Sequence, residues 1–273
     1  MINLSAGQIE TWLAQLLWPF IRIGACLTVA PVFGGSYVPP RVRVLLSLAI
    51  AMLVAPLLPA PPAVAAFSVP GFIITAQQLI IGTALGFAVQ TVFDSVTLGG
   101  QLLANSMGLG FAFNVDPVHG ASTPVVGQLY SIMVLLTFLA LNGHLTLIEV
   151  LVQGFTTLPI GTAGLGSDGL WTLVHWGSQL FLGAVTVALP GMTAMLIVNI
   201  AFGVMSRAAP TLNLFAVGFP ITLVFGLMII LFGLPKAQAG FIDMLSNTWD
   251  LLRLLNNPAG PSAAHSMLAA PGH

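Results

Sequence analysis

From Val44 to Phe93 the chain carries not one Asp, Glu, Lys or Arg. A stretch that long and that apolar has no face to offer water, so it must sit in lipid or deep inside protein. A proline cluster (Pro56, Pro59, Pro61, Pro62 and Pro70) cuts the stretch in two, because proline removes a backbone donor and clashes within a helix. Two apolar helices are therefore expected where the uninterrupted composition would suggest one long run. The rest of the chain agrees: 57% of its 273 residues are hydrophobic and 5% charged, against about 25% charged in soluble domains. The fold class predicted is all-α, an integral membrane protein.

Six apolar runs are long enough to be candidate spans: 12–33, 42–59, 71–93, 126–153, 171–200 and 211–234. Trp12 and Trp18 near the start of the first run, and Trp171 and Trp176 near the start of the fifth, are placed as aromatic anchors at a headgroup boundary would be. Residues 240–255 have helical spacing of apolar residues with Asp243, Asp250 and Arg253 between them. The predicted organisation is one membrane domain, 1–255. The Pro/Ala/Gly/Ser-rich tail 256–273 is expected to be disordered. Arg41 and Arg43 mark the first loop and Arg207 the fifth. With six spans those loops share one side, which the positive-inside rule makes cytoplasmic. The acidic Glu10 and the interrupting Arg22 argue against a cleavable signal peptide.

Several function classes fall away. A net charge of −1 with no basic run is unlike a nucleic-acid binder. The single cysteine, Cys26, allows no intrachain disulfide and reads as a buried thiol. GLGSDG at 164–169 matches G-x-G-x-x-G formally but lacks the preceding strand, following helix and downstream acid, so it reads as a loop. Asp116 and His119 are two weak ligands without a third, so no metal is expected. No nucleophile–base constellation appears, and neither an enzyme nor a cofactor is expected. His144 and Glu149 are ionisable residues in an apolar run, hence functional candidates. Their spacing of five turns them about 140° apart, which favours separate hydrogen-bond partners over a proton relay. Arg22 reads the same way, as a buried or snorkelling cation with an unidentified partner. Gly82 and Gly86, four apart, form a close-packing helix face.

The most informative segment is SMGLGFAFNVDPVHGASTP at 106–124. Met107, Leu109, Phe111 and Phe113 alternate with Gly108, Gly110 and Ala112, and Asn114, Val115, Asp116 and Pro117 end the apolar part. Irregular apolar backbone between long apolar runs is tolerated where protein buries it or where it lines a cavity. An ordinary interhelical connection and a pore-lining or re-entrant segment both remain open on that ground. So does a secondary transporter with a broken-helix site at 106–117, although no internal repeat supports it.

Five stretches together carry a resemblance: WPFIRIGACLTVAPVFGGSYVPPRVRVLLSLAIA at 18–51, QQLIIGTALGFAVQ at 77–90, SMGLGFAFNVDP at 106–117, FLALNGHLTLIEVLVQGFTTLPIG at 138–161 and SRAAPTLNLFAVGFPITL at 206–223. In order and without a large gap, they resemble the FliR family of the flagellar type III export gate, whose injectisome counterparts belong to the same family. The resemblance implies a bacterial inner-membrane, multi-pass protein at the flagellar basal body. It implies FliP, FliQ and FlhB homologues as partners and unfolded export substrates as cargo. It further implies that much of the apolar material is held above the bilayer plane in the assembled gate, and that the loop matching 106–123 projects into the pore and helps to plug it. The plug would run from Met107 to Pro117. Asn114 stands where the family pattern suggests a bulkier apolar residue, and the tail beyond residue 256 has no counterpart. An injectisome role is the alternative within the family.

Overall fold

The computed structural model describes residues 6–35, 37–59, 61–62, 64–109, 125–162, 164–208 and 214–256. Its elements are α1 (Ala6–Val29), α2 (Pro40–Val54) continued by a 3-10 turn (Ala55–Leu57), α3 (Val69–Ser106), α4 (Val125–Ala140), α5 (Gly143–Thr157), α6 (Ser167–Trp176), α7 (Gln179–Ala208) and α8 (Leu214–Leu255). No strand occurs among the described residues. The proline cluster acts as expected: α2 stops before Pro56, and α3 opens with Pro70 as its second residue, where a missing N–H costs nothing.

Four helical stretches among the described residues are long and apolar enough to cross a membrane: Pro40–Leu57, Val69–Ser106, Ser167–Ala208 and Gly218–Leu255. The count becomes five if α4 and α5 form one broken span. It falls short of six for two local reasons. The first run yields a shorter apolar helix, Ala14–Val29. The run 126–153 is interrupted at Asn142, which sits at φ 55° in the left-handed region just before Gly143 opens α5. Asn tolerates that conformation better than most residues. In the other direction, 211–234 and 240–255 merge. α8 passes through Pro235 without ending and reaches Leu255 as a single 42-residue helix.

The chain folds as two compact units built from interleaved segments. The first comprises residues 1–90, 139–177 and 246–273. Here α1 lies against the first half of α3 on the Gly82/Gly86 face. A Cβ on Gly82 would run into the Arg22 carbonyl oxygen and stand 2.8 Å from Ala25 Cβ; one on Gly86 would stand 2.7 Å from the Cys26 carbonyl oxygen. Backbones this close exclude any side chain, which is the packing that small residues four apart permit. Trp18 is completely buried in this seam with Ala14 and Ile74, and Trp176 donates its indole N–H to the Ala88 carbonyl at 3.3 Å. Both tryptophans are therefore core residues, and the anchor reading fits only the exposed Trp12 and Trp171. Cys26 is buried in the same seam.

The α1–α2 connection in this unit is strained and clamped. Phe33 donates its N–H to the Pro31 carbonyl at 2.8 Å across Val32, whose φ is 71°. This is a γ-turn of the uncommon positive-φ kind, and a β-branched residue in it costs on the order of 1–3 kcal/mol. Arg43 holds it in place: Nε donates to the Phe33 carbonyl at 3.0 Å, and Nη2 reaches the Gly35 and Val38 carbonyls at 3.4 and 3.5 Å.

The second unit comprises residues 91–138 and 178–245. Its centre is Phe93, whose ring meets Phe138 at 5.2 Å and Phe241 at 5.3 Å, both edge-on. Each such pair adds roughly 0.5–1.5 kcal/mol beyond area burial. Gly99 lies beneath Ala184 and Val187 of α7, Gly100 meets Gly127 and Tyr130 of α4, and Gly183 faces Met244 and Ser95. The helices of this unit thus approach through glycines, as membrane helices do when no water drives them together.

Candidate functional site

The second half of α3 carries the chain to the segment beginning at Met107. α3 ends there in a complete C-terminal cap. The Gly108 N–H donates to the Asn105 carbonyl and the Leu109 N–H to the Ala104 carbonyl, each at 3.1 Å, with Gly108 at φ 82°. That pair of bonds around a left-handed glycine is the Schellman motif. Gly108 is therefore required by the way the helix stops. Replacing Gly108 by Ala should lower stability by about 1 kcal/mol, the cost of a Cβ in the left-handed region. Replacing it by Asn should cost less, and thermal unfolding of the purified protein measures both.

Met107 is buried and its side chain lies on Gly226 of α8, where an added Cβ would stand 2.7 Å from Met107 Cγ and 2.8 Å from Sδ. Asn199 of α7 donates to the Ser106 carbonyl at 3.3 Å. Two other helices of the same unit thus fix the point at which the segment departs. On the return side, Val126 is buried and Gly127 packs against Gln101 and Gly100. The contacts Phe93–Phe138 and Gly100–Gly127 run in opposite chain directions, so α3 and α4 are antiparallel. The segment leaves and re-enters at the same end of that pair. Of the proposed plug residues, Met107, Gly108 and Leu109 are described; Gly110 to Pro117 lie outside the described residues, as does His119.

Arg22 is the most heavily engaged of the other candidates. Its side chain is fully buried in the first unit, and Nε donates to Gln78 Oε1 at 2.7 Å. Nη1 donates to the Gly154 carbonyl at 3.1 Å and Nη2 to the Leu158 carbonyl at 2.9 Å. The guanidinium also lies 4.2 Å from the centroid of the Phe155 ring. Its counter-charge is therefore the C-terminal end of α5, the negative pole of that helix, where the Leu158 carbonyl lies just past the last helical residue and the Gly154 carbonyl is shared with the capping Leu158 N–H. Asn256, just past α8, packs on Gly154 and donates to the Val150 carbonyl at 3.2 Å, so the same helix end is held from a second direction.

The remaining candidates are dispersed. Glu149 is exposed and accepts a hydrogen bond from Gln153 at 3.0 Å, while His144 Nδ1 is buried without a partner among the described residues. The two are not joined. Arg41 is exposed at the start of α2, and Arg207 is exposed in the last turn of α7, where a cation complements the helix dipole. GLGSDG is only partly a loop: Gly166 precedes α6, and Ser167, Asp168 and Gly169 form its first turn. Among the described residues no three His, Cys, Asp or Glu side chains could hold a metal. Sequence reasoning missed Gln78 and Asn256. Neither has a spacing that announces it, since their partners are a distant arginine and backbone carbonyls.

Compared with known proteins, residues 13–248 match the model of "Bacterial export proteins, family 1". The chain belongs to this family. It is 37% identical to the flagellar biosynthetic protein FliR of Escherichia coli K12 over 252 residues, 92% of this chain and 96% of that protein. The FliR of Pectobacterium carotovorum matches with the same identity and coverage. The FliR of Buchnera aphidicola from Acyrthosiphon pisum is 30% identical over 257 residues, 94% of this chain and 98% of its own. With its apolar helices, this member of the FliR-type export family is a multi-pass membrane protein.

Proposed function

We propose that the chain is a non-enzymatic subunit of the flagellar type III protein export gate in the bacterial inner membrane. FliP, FliQ and FlhB homologues are its partners, and unfolded export substrates are what passes. The observation that carries this reading is the near full-length similarity to proteins named flagellar biosynthetic protein FliR. The flagellar branch is favoured over virulence secretion by those same names.

Within the gate, residues Met107 to Pro117 are the closure. Alternating apolar side chains exclude water and ions from the narrowest part of the pore and yield when a polypeptide pushes through. Support comes from the rigid departure point: Met107 locked on Gly226, Gly108 capping α3 and Asn199 holding the Ser106 carbonyl. An apolar segment can serve as a movable seal only if its base does not move with it.

Phe111→Ser combined with Phe113→Ser, or deletion of 107–115, should raise ion leak through the gate coexpressed with FliP and FliQ homologues. Membrane-potential dyes in intact cells read that leak. Unchanged leak from an assembly that still copurifies would overturn the plug. Failure of the chain to copurify with those homologues would overturn the subunit assignment itself.

A further inference from the structure

The second unit contains a cleft of 710 Å³, room for several large side chains, bounded by α3, α4, α7 and α8. Along α8 it runs from Phe225, Met228 and Phe232 to Lys236 and Asp243. Its near end is thus hydrocarbon, and its far end carries a cation and an anion. Lys236 and Asp243 are both exposed, and neither forms an ion pair with another described residue. On the opposite wall Pro190 has no N–H to give the Thr186 carbonyl, so that wall offers a backbone acceptor to an extended chain.

The apolar end of the cleft lies at the root of the segment 107–117. Met107 rests on Gly226, next to Phe225, and Leu103, one turn before Met107, lines the cleft. The left-handed Gly108 bends the chain off the α3 axis at that level. On its return the chain enters α4, which borders the cleft at Tyr130. An extended chain advances about 3.3 Å per residue and a helix about 1.5 Å. Phe111 and Phe113, at most roughly 13 and 20 Å from Met107, therefore reach Met228 and Phe232, which lie about 3 and 9 Å along α8 from Gly226. Asp116 has a reach of about 30 Å, and Lys236 lies only about 15 Å along the helix, which leaves slack for the turn. His119 follows Asp116 by about 10 Å of extended chain, and Asp243 follows Lys236 by about 10 Å of helix. Apolar groups, an acid and an N–H donor thus succeed one another in the segment as apolar groups, a cation and an acid do in the cleft.

We propose that this cleft receives residues 111–119 of the same chain when the plug is displaced, with Phe111 and Phe113 in its apolar end, Asp116 at Lys236 and His119 at Asp243. This rests on the plug reading, to which it adds the site that holds the open form. Two large aromatic side chains leaving a seal need somewhere else to be buried, since exposing each costs about 1.5–3 kcal/mol. Two features select this occupant over a separate apolar body. The segment is tethered at both ends to helices that line the cleft, which raises its local concentration to the order of millimolar without any added contact. It also brings the complement of both Lys236 and Asp243, in order and at matching spacing, which hydrocarbon alone does not.

The test uses the full-length chain in its copurified assembly, either resting or engaged with an export substrate stalled by a stably folded fusion domain. In a Cys26→Ala background, Asp116→Cys and Lys236→Cys are oxidised to a disulfide. Trypsin then cuts at Arg207 and leaves the two cysteines on separate fragments unless they are bridged. Bridging should be about fivefold or more higher in the engaged assembly than in the resting one. It should exceed by as much that of Asp116→Cys with Leu231→Cys, an exposed α8 position outside the cleft. Lys236→Glu should lower export about fivefold, and adding Asp116→Lys should restore it. Absence of bridging in the engaged assembly, equal bridging at position 231, or no restoration by the charge swap overturns the proposal. A photo-crosslinker at position 233, where an added Cβ meets nothing within 4 Å, should capture the chain's own segment; capture of a partner subunit there overturns it as well. Raised leak from the Phe111 and Phe113 variant without bridging sinks the cleft assignment and leaves the plug standing. Strong bridging in the resting assembly sinks both, because the segment would then never occupy the pore.

Discussion

Arg22→Met should destabilise the first unit by about 3 kcal/mol. Gln78 Oε1 and the Leu158 carbonyl both lose their only identified donor, and a buried acceptor left bare costs roughly 1–3 kcal/mol. The Gly154 carbonyl suffers less, because it also accepts from the Leu158 N–H at 2.9 Å. Removing the guanidinium does relieve a desolvation cost, and a buried ion pair can often be replaced by apolar residues at no loss. That offset fails here because the acceptors at the end of α5 are backbone and cannot be exchanged for carbon. Gln78→Met makes the contrast. Gln78 Nε2 is already without a partner, so its loss removes an orphan along with one bond, and the cost should be clearly smaller. Thermal unfolding in detergent, followed by tryptophan fluorescence, reports on both, since Trp18 is buried one turn before Arg22. An Arg22→Met variant as stable as wild type would show that the α5 end draws its stability from elsewhere.

Gly82→Leu is the second large effect. The obstruction is the Arg22 carbonyl oxygen on one side and Ala25 Cβ on the other. Neither is the tip of a flexible chain, so α1 and α3 must move apart. Overpacking typically costs about 1–3 kcal/mol, and a backbone obstruction places this substitution at the upper end. Separation of the helices also draws Gln78 from Arg22, one turn away, so the two losses couple. The double variant Gly82→Leu with Arg22→Met should therefore fall short of the sum of the single effects by about 0.5–3 kcal/mol, the range for neighbouring sites. Full additivity would place the two in separate networks.

What is legible in the sequence depends on where the signal lives. Proline and glycine act locally, so the breaks around Pro56–Pro70 and the close face at Gly82 and Gly86 are visible in the chain itself. Asn142–Gly143 is turn chemistry of the same kind, yet the strong hydropathy of 126–153 conceals it. Pro235 misleads in the opposite direction: a proline can persist inside a long apolar helix, because neighbouring groups satisfy the freed carbonyl. Trp18 and Trp176 look like interfacial anchors because position along a run says nothing about which face of the helix is turned inward. Arg22 in an apolar run demands a partner, but its acceptors at Gly154 and Leu158 are main-chain oxygens, which every residue possesses and no spacing marks. In the candidate site, Gly108 stands out as a glycine among apolar residues. Its role as a helix stop emerges only with the hydrogen bonds to Asn105 and Ala104.

The interleaving of the two units sets an order of events at the ribosome. Every residue of the second unit precedes Ser246, so that unit can close while the last stretch of α8 is still being synthesised. The first unit cannot. Its opening helix emerges earliest, yet Asn256, which grips the Val150 carbonyl beside Arg22's acceptors, emerges only after all of α8. During translation the N-terminal helices therefore wait as an unfinished assembly. Stop codons placed just before residue 246 should leave a proteolytically stable second unit attached to a labile first one.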